Sequence, residues 1–171
     1  YRHYEGRIWG KKSMRNGLRD LMQTELISLD HPPFQNKDEA FSFLSEIFWK
    51  NGIIKDKKIY TEALYAREKL GSTYIGKGIA VPHAKCSEVK NSAIVFCRCT
   101  APFYYESGQE SDEVRYIFGL AIETEQGGEE YIELLAELMA CLIKEECRVL
   151  LEKAASKDEI IEGFEKIRSR R

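Results

Sequence analysis

At 171 residues the chain can bury one substantial core, and 43% hydrophobic with 32% charged residues is the make-up of an ordinary globular protein. A net charge of −2 gives no general attraction to nucleic acid, and no apolar run approaches the roughly 20 residues that cross a bilayer. No signal-peptide pattern opens the sequence, and the cysteines, odd in number and mostly in apolar contexts, point to reduced thiols and a cytoplasmic setting.

Residues 1–17 are basic and glycine-dotted, with Arg2, Arg7, Lys11, Lys12 and Arg15 close together, and read as an extension or linker ahead of a domain over 18–171. Leu18, Leu21 and Met22 mark one or two helical turns, and Leu26–Leu29 a short strand ended by Asp30-His31-Pro32-Pro33, where His31 reads as a structural turn residue. Asn36 followed by Glu39 is a helix start, and Ala40, Phe43, Leu44, Ile47 and Phe48 form an apolar stripe that stops at Asn51-Gly52. A second helix is predicted from about Lys57 to Leu70, with Ile59, Ala63, Leu64 and Ala66 facing inward.

A glycine-punctuated turn at Gly76 and Gly78 leads into Ile79-Ala80-Val81, a strand predicted to end at Pro82-His83. Ser92–Cys97 is a nearly continuous apolar run, expected to be buried on both faces, and Phe103–Asp112 reads as a loop. Val114–Ile122 is another central strand. A long helix from about Glu129 carries Ile132, Leu135, Leu138, Met139 and Leu142, a shorter one covers Arg148–Ala155, and Ser156-Lys157-Asp158-Glu159 caps the last, with Ile160, Ile161, Phe164 and Ile167 inward. Helices interleaved with strands too apolar to face water predict a three-layer α/β sandwich, a mixed sheet flanked by helices on both faces.

Three features single out His83. It ends a strand, it follows a turn whose glycines can expose N–H groups to an anion, and Arg67 on the preceding helix can bring a guanidinium to the same rim. A neutral imidazole is a nucleophile near neutral pH, and arginine grips phosphate through a bidentate fork. That combination suits a transferable phosphoryl group. Neither a serine-hydrolase elbow nor a nucleotide-binding glycine motif is present. Cys97-Arg98-Cys99, weighed with His83 and Cys86 as a zinc set, fits no common zinc spacing and reads as core thiols, so no metal is expected.

The run Glu68…Ile75-Gly76-Lys77-Gly78-Ile79-Ala80-Val81-Pro82-His83-Ala84 resembles the active-site signature of the fructose/mannitol-type (type 2) enzyme IIA domains of the bacterial phosphoenolpyruvate-dependent sugar phosphotransferase system. The resemblance extends from about Leu18 to the C-terminus. It implies the mixed-sheet fold, a phosphohistidine at His83 loaded by phospho-HPr, and onward transfer to a cysteine of enzyme IIB serving a IIC transporter. It also implies phosphate stabilisation by Arg67, no metal or organic cofactor, and no membrane insertion or nucleic-acid contact by this domain; a homodimer is compatible with it. The segment Tyr131-Ile132-Glu133-Leu134-Leu135 matches the place where many members carry a second histidine, so Tyr131 stands there instead. The alternative within the same resemblance is a regulatory module, nitrogen-type or part of a transcription activator, whose His83 phosphorylation controls partner binding.

Overall fold

Side-chain caps start the helices where the sequence marks them. The computed structural model describes residues 18–107, 110–124 and 127–169, so the basic segment 1–17 lies outside the described residues. By their contacts the described residues divide into two compact units, Glu25–Thr124 and the segments on either side of it.

In the first unit, β1 (Ile27–His31) leads to α2 (Lys37–Lys50) and α3 (Lys57–Leu70). The Asn36 side chain accepts the Glu39 N–H at 2.9 Å, and Asp56 does the same for Ile59, so each helix has one of its orphan amides satisfied. Of the stripe predicted on α2, Ala40, Leu44 and Phe48 are buried and Phe43 and Ile47 half-buried against the core, while Phe41, outside that stripe, is fully buried; Gly52 follows the helix at a φ of 70°. On α3 the inward face is carried by Tyr60 and Leu64, whereas Ile59 is 42% exposed. The Tyr60 ring supplies the area the sequence reading gave to Ile59, and its hydroxyl donates to the Leu120 carbonyl at 2.7 Å.

The mixed sheet flanked by helices that the sequence predicts is the one that forms. Its strands after α3 are β2 (Tyr74–Gly76), β3 (Ile79–Ala80), β4 (His83–Lys85), β5 (Ala93–Ser107) and β6 (Glu110–Ile122), in the order β1-β5-β6-β3-β2 with β4 also on β6. β1 runs parallel to β5, β5 antiparallel to β6, and β3 and β4 both parallel to β6. The β2–β3 hairpin turns through Lys77 and Gly78 at φ 57° and 75°, the paired left-handed residues of a tight two-residue turn. The predicted loop Phe103–Asp112 is instead the far half of the β5–β6 hairpin, paired from Phe103↔Val114 to Ser107↔Glu110. Alternation explains it: Phe103 and Tyr105 are buried while Tyr104 is 59% exposed, a period of two that the run of aromatics conceals. The strand predicted over Ser92–Cys97 is buried on both faces, Ile94 through Cys97 being at most 1% exposed.

The second unit comprises α1 (Leu18–Leu21), α4 (Gly127–Leu142), α5 (Glu145–Lys153) and α6 (Lys157–Ser169). Ser156 caps α6 by accepting the Glu159 N–H at 3.2 Å, while Glu159 reaches back to the Ala155 N–H at 3.1 Å. Ile160, Phe164 and Ile167 are buried on α6 as expected, whereas Ile132 on α4 is 65% exposed, the inward set being Leu134, Leu138, Cys141 and Leu142. Among the described residues no helix is long and apolar enough to cross a membrane.

Gly119 of β6 lies directly against the Leu44 side chain of α2. A Cβ there would lie 2.5 Å from Leu44 Cδ2 on α2, and Leu44 is fully buried with nowhere to yield. Gly119→Ala should therefore destabilise the fold by about 1–3 kcal/mol, the range for overpacking a tight core. Urea unfolding checks this, and adding Leu44→Ala should cost much less than the sum of the single changes because the two sites share one space.

Candidate functional site

The chain from Ile79 to Lys85 runs along β6 without leaving it. Pro82 has no N–H to give the ladder, but its carbonyl accepts the Leu120 N–H at 3.0 Å, and β4 resumes at once with His83 opposite Leu120. The predicted strand end at Pro82-His83 is thus only an interruption. His83 sits inside the edge of the sheet rather than on its rim, and is 7% exposed.

Both nitrogens of His83 are engaged. Nδ1 lies 2.9 Å from the Val81 carbonyl, which can only accept, so Nδ1 carries the proton and the Nε2 lone pair faces outward from the ring. Arg67 Nε donates to that Nε2 at 3.2 Å. The sequence reading placed these two side chains together, and the structure brings them into contact. Arg67 belongs to the last turn of α3, where a basic side chain is favoured by the helix dipole, and its Nη1 donates to the Gly71 carbonyl at 2.8 Å. Bonding its own helix end fixes the guanidinium so that Nε is aimed at the imidazole.

Electrostatically the ring is held neutral. Burial lowers the His83 pKa most, the Arg67 charge lowers it further, and the Val81 carbonyl and Glu68 carboxylate work the other way. An unprotonated imidazole beside a guanidinium is a nucleophile with an electrostatic clamp in place.

Behind Arg67 lies a polar cluster that the sequence reading did not assemble. The Glu68 carboxylate accepts from the Thr73 hydroxyl and from Tyr105 at 3.1 Å, and pairs with Lys37 at 3.5 Å, its side chain only 6% exposed. Thr73 and Tyr105 are 2.8 Å apart at their hydroxyls, and Lys37 also donates to the Glu106 carbonyl at 2.7 Å. Burial and the adjacent Glu68 charge raise the Tyr105 pKa, so its phenol stays a donor. The signal available in sequence was the acidic residue opening the His83 motif, but two of its partners, Lys37 and Tyr105, come from α2 and β5, remote in the chain.

Two other expectations change. The Gly78 N–H is not held open for an anion: it lies 3.4 Å from the Tyr74 hydroxyl, and the Gly78 carbonyl accepts from the Arg115 and Tyr116 N–H groups, while Gly76 pairs with Ile79 in the hairpin. The two glycines serve the hairpin and its attachment to β6. Tyr131 falls on α4, and its side chain lies outside the described residues.

Comparison with known proteins bears on this geometry. Residues 20–167 match the family model described as phosphoenolpyruvate-dependent sugar phosphotransferase system, EIIA 2. A fructose-specific EIIABC component of that system from Bacillus subtilis is 36% identical over 75% of this chain and 20% of its own length. The chain spans about a fifth of the first curated relatives it matches. Among solved structures, the nitrogen regulatory protein IIA-Ntr from Neisseria meningitidis superposes with a TM-score of 0.76 at 26% identity, covering 85% of this chain and 97% of that one. A complex of enzyme IIA and phosphorylated enzyme IIB of the Escherichia coli mannitol system matches with a TM-score of 0.67 at 28% identity, covering 84% and 96%.

The lowered pKa of His83 makes a signed prediction. A group that charges less readily when folded contributes stability that is full above its ordinary value of about 6.5 and is lost as pH falls below it. Urea unfolding should show the wild-type chain losing stability on acidification through that region, and His83→Gln losing less. By NMR the neutral ring should carry its proton on Nδ1 and titrate below 6.5, and Arg67→Ala should move that titration upward.

Proposed function

We propose, from the premise that this chain belongs to the EIIA 2 family of the phosphoenolpyruvate-dependent sugar phosphotransferase system, that it carries phosphoryl groups on Nε2 of His83. The observation that supports this most directly is the pair of bonds on the ring: Val81 holds the Nδ1 proton, and Arg67 meets the Nε2 lone pair. Attack by that lone pair needs no base, because the attacking nitrogen bears no proton. As the new P–N bond forms, the bond from phosphorus to the donor breaks and the donor leaves with that electron pair, while the ring gains positive charge that the Val81 carbonyl is placed to stabilise. Arg67 Nε leaves Nε2 and the guanidinium turns its donors to the phosphoryl oxygens, still tethered near Gly71.

In this reading residues 18–171 are the carrier domain, phospho-HPr is the donor, and a cysteine of a cognate enzyme IIB is the acceptor for sugar or polyol uptake. The superposition on an enzyme IIA seen together with phosphorylated enzyme IIB supports that choice of acceptor. The superposition on a nitrogen regulatory protein supports a second reading, in which phosphorylation of His83 is a signal and partner binding is the output. Tyr131, at the place of the family's second histidine, offers a neutral phenol where relatives offer an imidazole.

Incubation with labelled phosphoenolpyruvate, enzyme I and HPr should place acid-labile phosphate on His83, and His83→Ala should fold but take none. Arg67→Ala should slow loading roughly ten- to a hundredfold, the rate equivalent of the ~1.5–3 kcal/mol of a charge-assisted hydrogen bond. Full-rate transfer by a folded Arg67→Ala would remove Arg67 from the site. Transfer onward to a purified enzyme IIB distinguishes uptake from signalling, and Tyr131→His should alter the measured rates in that assay.

A further inference from the structure

Parallel strands β1 and β5 are in register at Ser28↔Cys97, but the next pair is His31↔Cys99, three residues on one strand against two on the other. The extra residue is a bulge, and within it Asp30 adopts a φ of 57°, a left-handed conformation that costs a non-glycine residue energy. The consequence is a change of face. With unbroken alternation His31 would point away from the side shared by Ser28, Cys97 and Cys99. The bulge turns it onto that side, while Asp30 reaches Arg98, on the opposite face of β5, at 3.4 Å.

A ring nitrogen of His31 and the sulfurs of Cys97 and Cys99 consequently lie within 4.8 Å of one another, and among the described residues this is the one His/Cys/Asp/Glu cluster so arranged. The imidazole is pre-oriented. Its Nδ1 bonds the Pro32 carbonyl at 2.6 Å, leaving the Nε2 lone pair, and the ring stacks on Phe34 at 4.5 Å and meets Phe43 edge-on at 4.7 Å. A backbone carbonyl on one nitrogen is the usual device for fixing a metal-binding histidine. Both cysteines are free and fully buried, while His31 is half-buried and gives the cluster its access to solvent.

We propose that His31, Cys97 and Cys99 form a binding site for a single thiophilic cation of the zinc(II) or copper(I) class, held at the bulge between β1 and β5. Two thiolates and one imidazole complete a three-coordinate copper(I) site, or a tetrahedral zinc(II) site with water as the fourth ligand. Binding displaces the two thiol protons to solvent. The sequence offered His83 and Cys86 as partners for the cysteine pair, a set whose spacing argues against a metal; His83 is on β4 beyond β6, and the bulge supplies His31 instead. The site is independent of the phosphoryl chemistry at His83.

The test uses the reduced, metal-free chain. In one arm cobalt(II) stands in for zinc(II); a thiolate-to-cobalt charge-transfer band should saturate at one ion per chain and be abolished by added zinc(II). In the other, copper(I) is offered in competition with a chromogenic chelator. One cation per chain in either arm supports the proposal and identifies the metal. Cys97→Ser and Cys99→Ser should lose binding, and Cys86→Ser should leave it unchanged. His31→Gln, at a half-buried position that need not disturb folding, should weaken it by about tenfold or more. No stoichiometric binding of either cation, binding lost with Cys86, or binding indifferent to His31→Gln would overturn the assignment.

Discussion

The site depends on one hydrogen bond, from His83 Nδ1 to the Val81 carbonyl two residues back. It decides which nitrogen keeps its lone pair, and it forms where Pro82 interrupts the strand. A regular β residue would spend its carbonyl on the neighbouring strand and turn its side chain to alternate faces. Here the Val81 N–H bonds the Thr73 carbonyl, the Pro82 carbonyl takes Leu120, and the Val81 carbonyl is left for the ring. The Val81 carbonyl is thus the local cause of the histidine's tautomer.

Arg67 must then arrive at the other nitrogen, which is a demand on helix α3. Tyr60 fastens that helix to β6 through the carbonyl of Leu120, the same residue that pairs with His83. At the other end, Glu68 is bonded to Thr73 and Tyr105 and paired with Lys37. These contacts join α2, α3, the approach to β2 and the far half of β5 around one buried carboxylate. A network of this kind is stable only when each member is satisfied, and that requirement fixes the helix end carrying Arg67.

How much of this could be read beforehand follows from how local each determinant is. The caps at Asn36 and Ser156 and the Gly76–Gly78 turn are written within a few residues, and they form as read. Arg67 and His83 were paired correctly from chemical complementarity. The burial of His83 was missed because a proline reads as a strand end, and only the β6 partner shows that the ladder resumes. The Phe103–Asp112 segment was missed because three neighbouring aromatics hide an alternation that pairing with Val114 makes plain. Glu68's partners could not be read, since Lys37 and Tyr105 lie 31 and 37 residues away.

The two histidines of the first unit make a final point about what determines chemistry. Both have Nδ1 against a backbone carbonyl, Val81 for His83 and Pro32 for His31, and each sits where a strand departs from regularity. The imidazole is therefore presented in the same way twice. What differs is the neighbour of the other ring nitrogen. A guanidinium at Nε2 repels cations and attracts anions, which is the basis of the phosphoryl role proposed for His83. A pair of thiols does the reverse, offering a cation two soft donors and an anion nothing but desolvation. Under the two proposals one tautomer-fixing device serves opposite charges, and the choice is made by which element lies opposite: the end of α3 for His83, and β5 for His31.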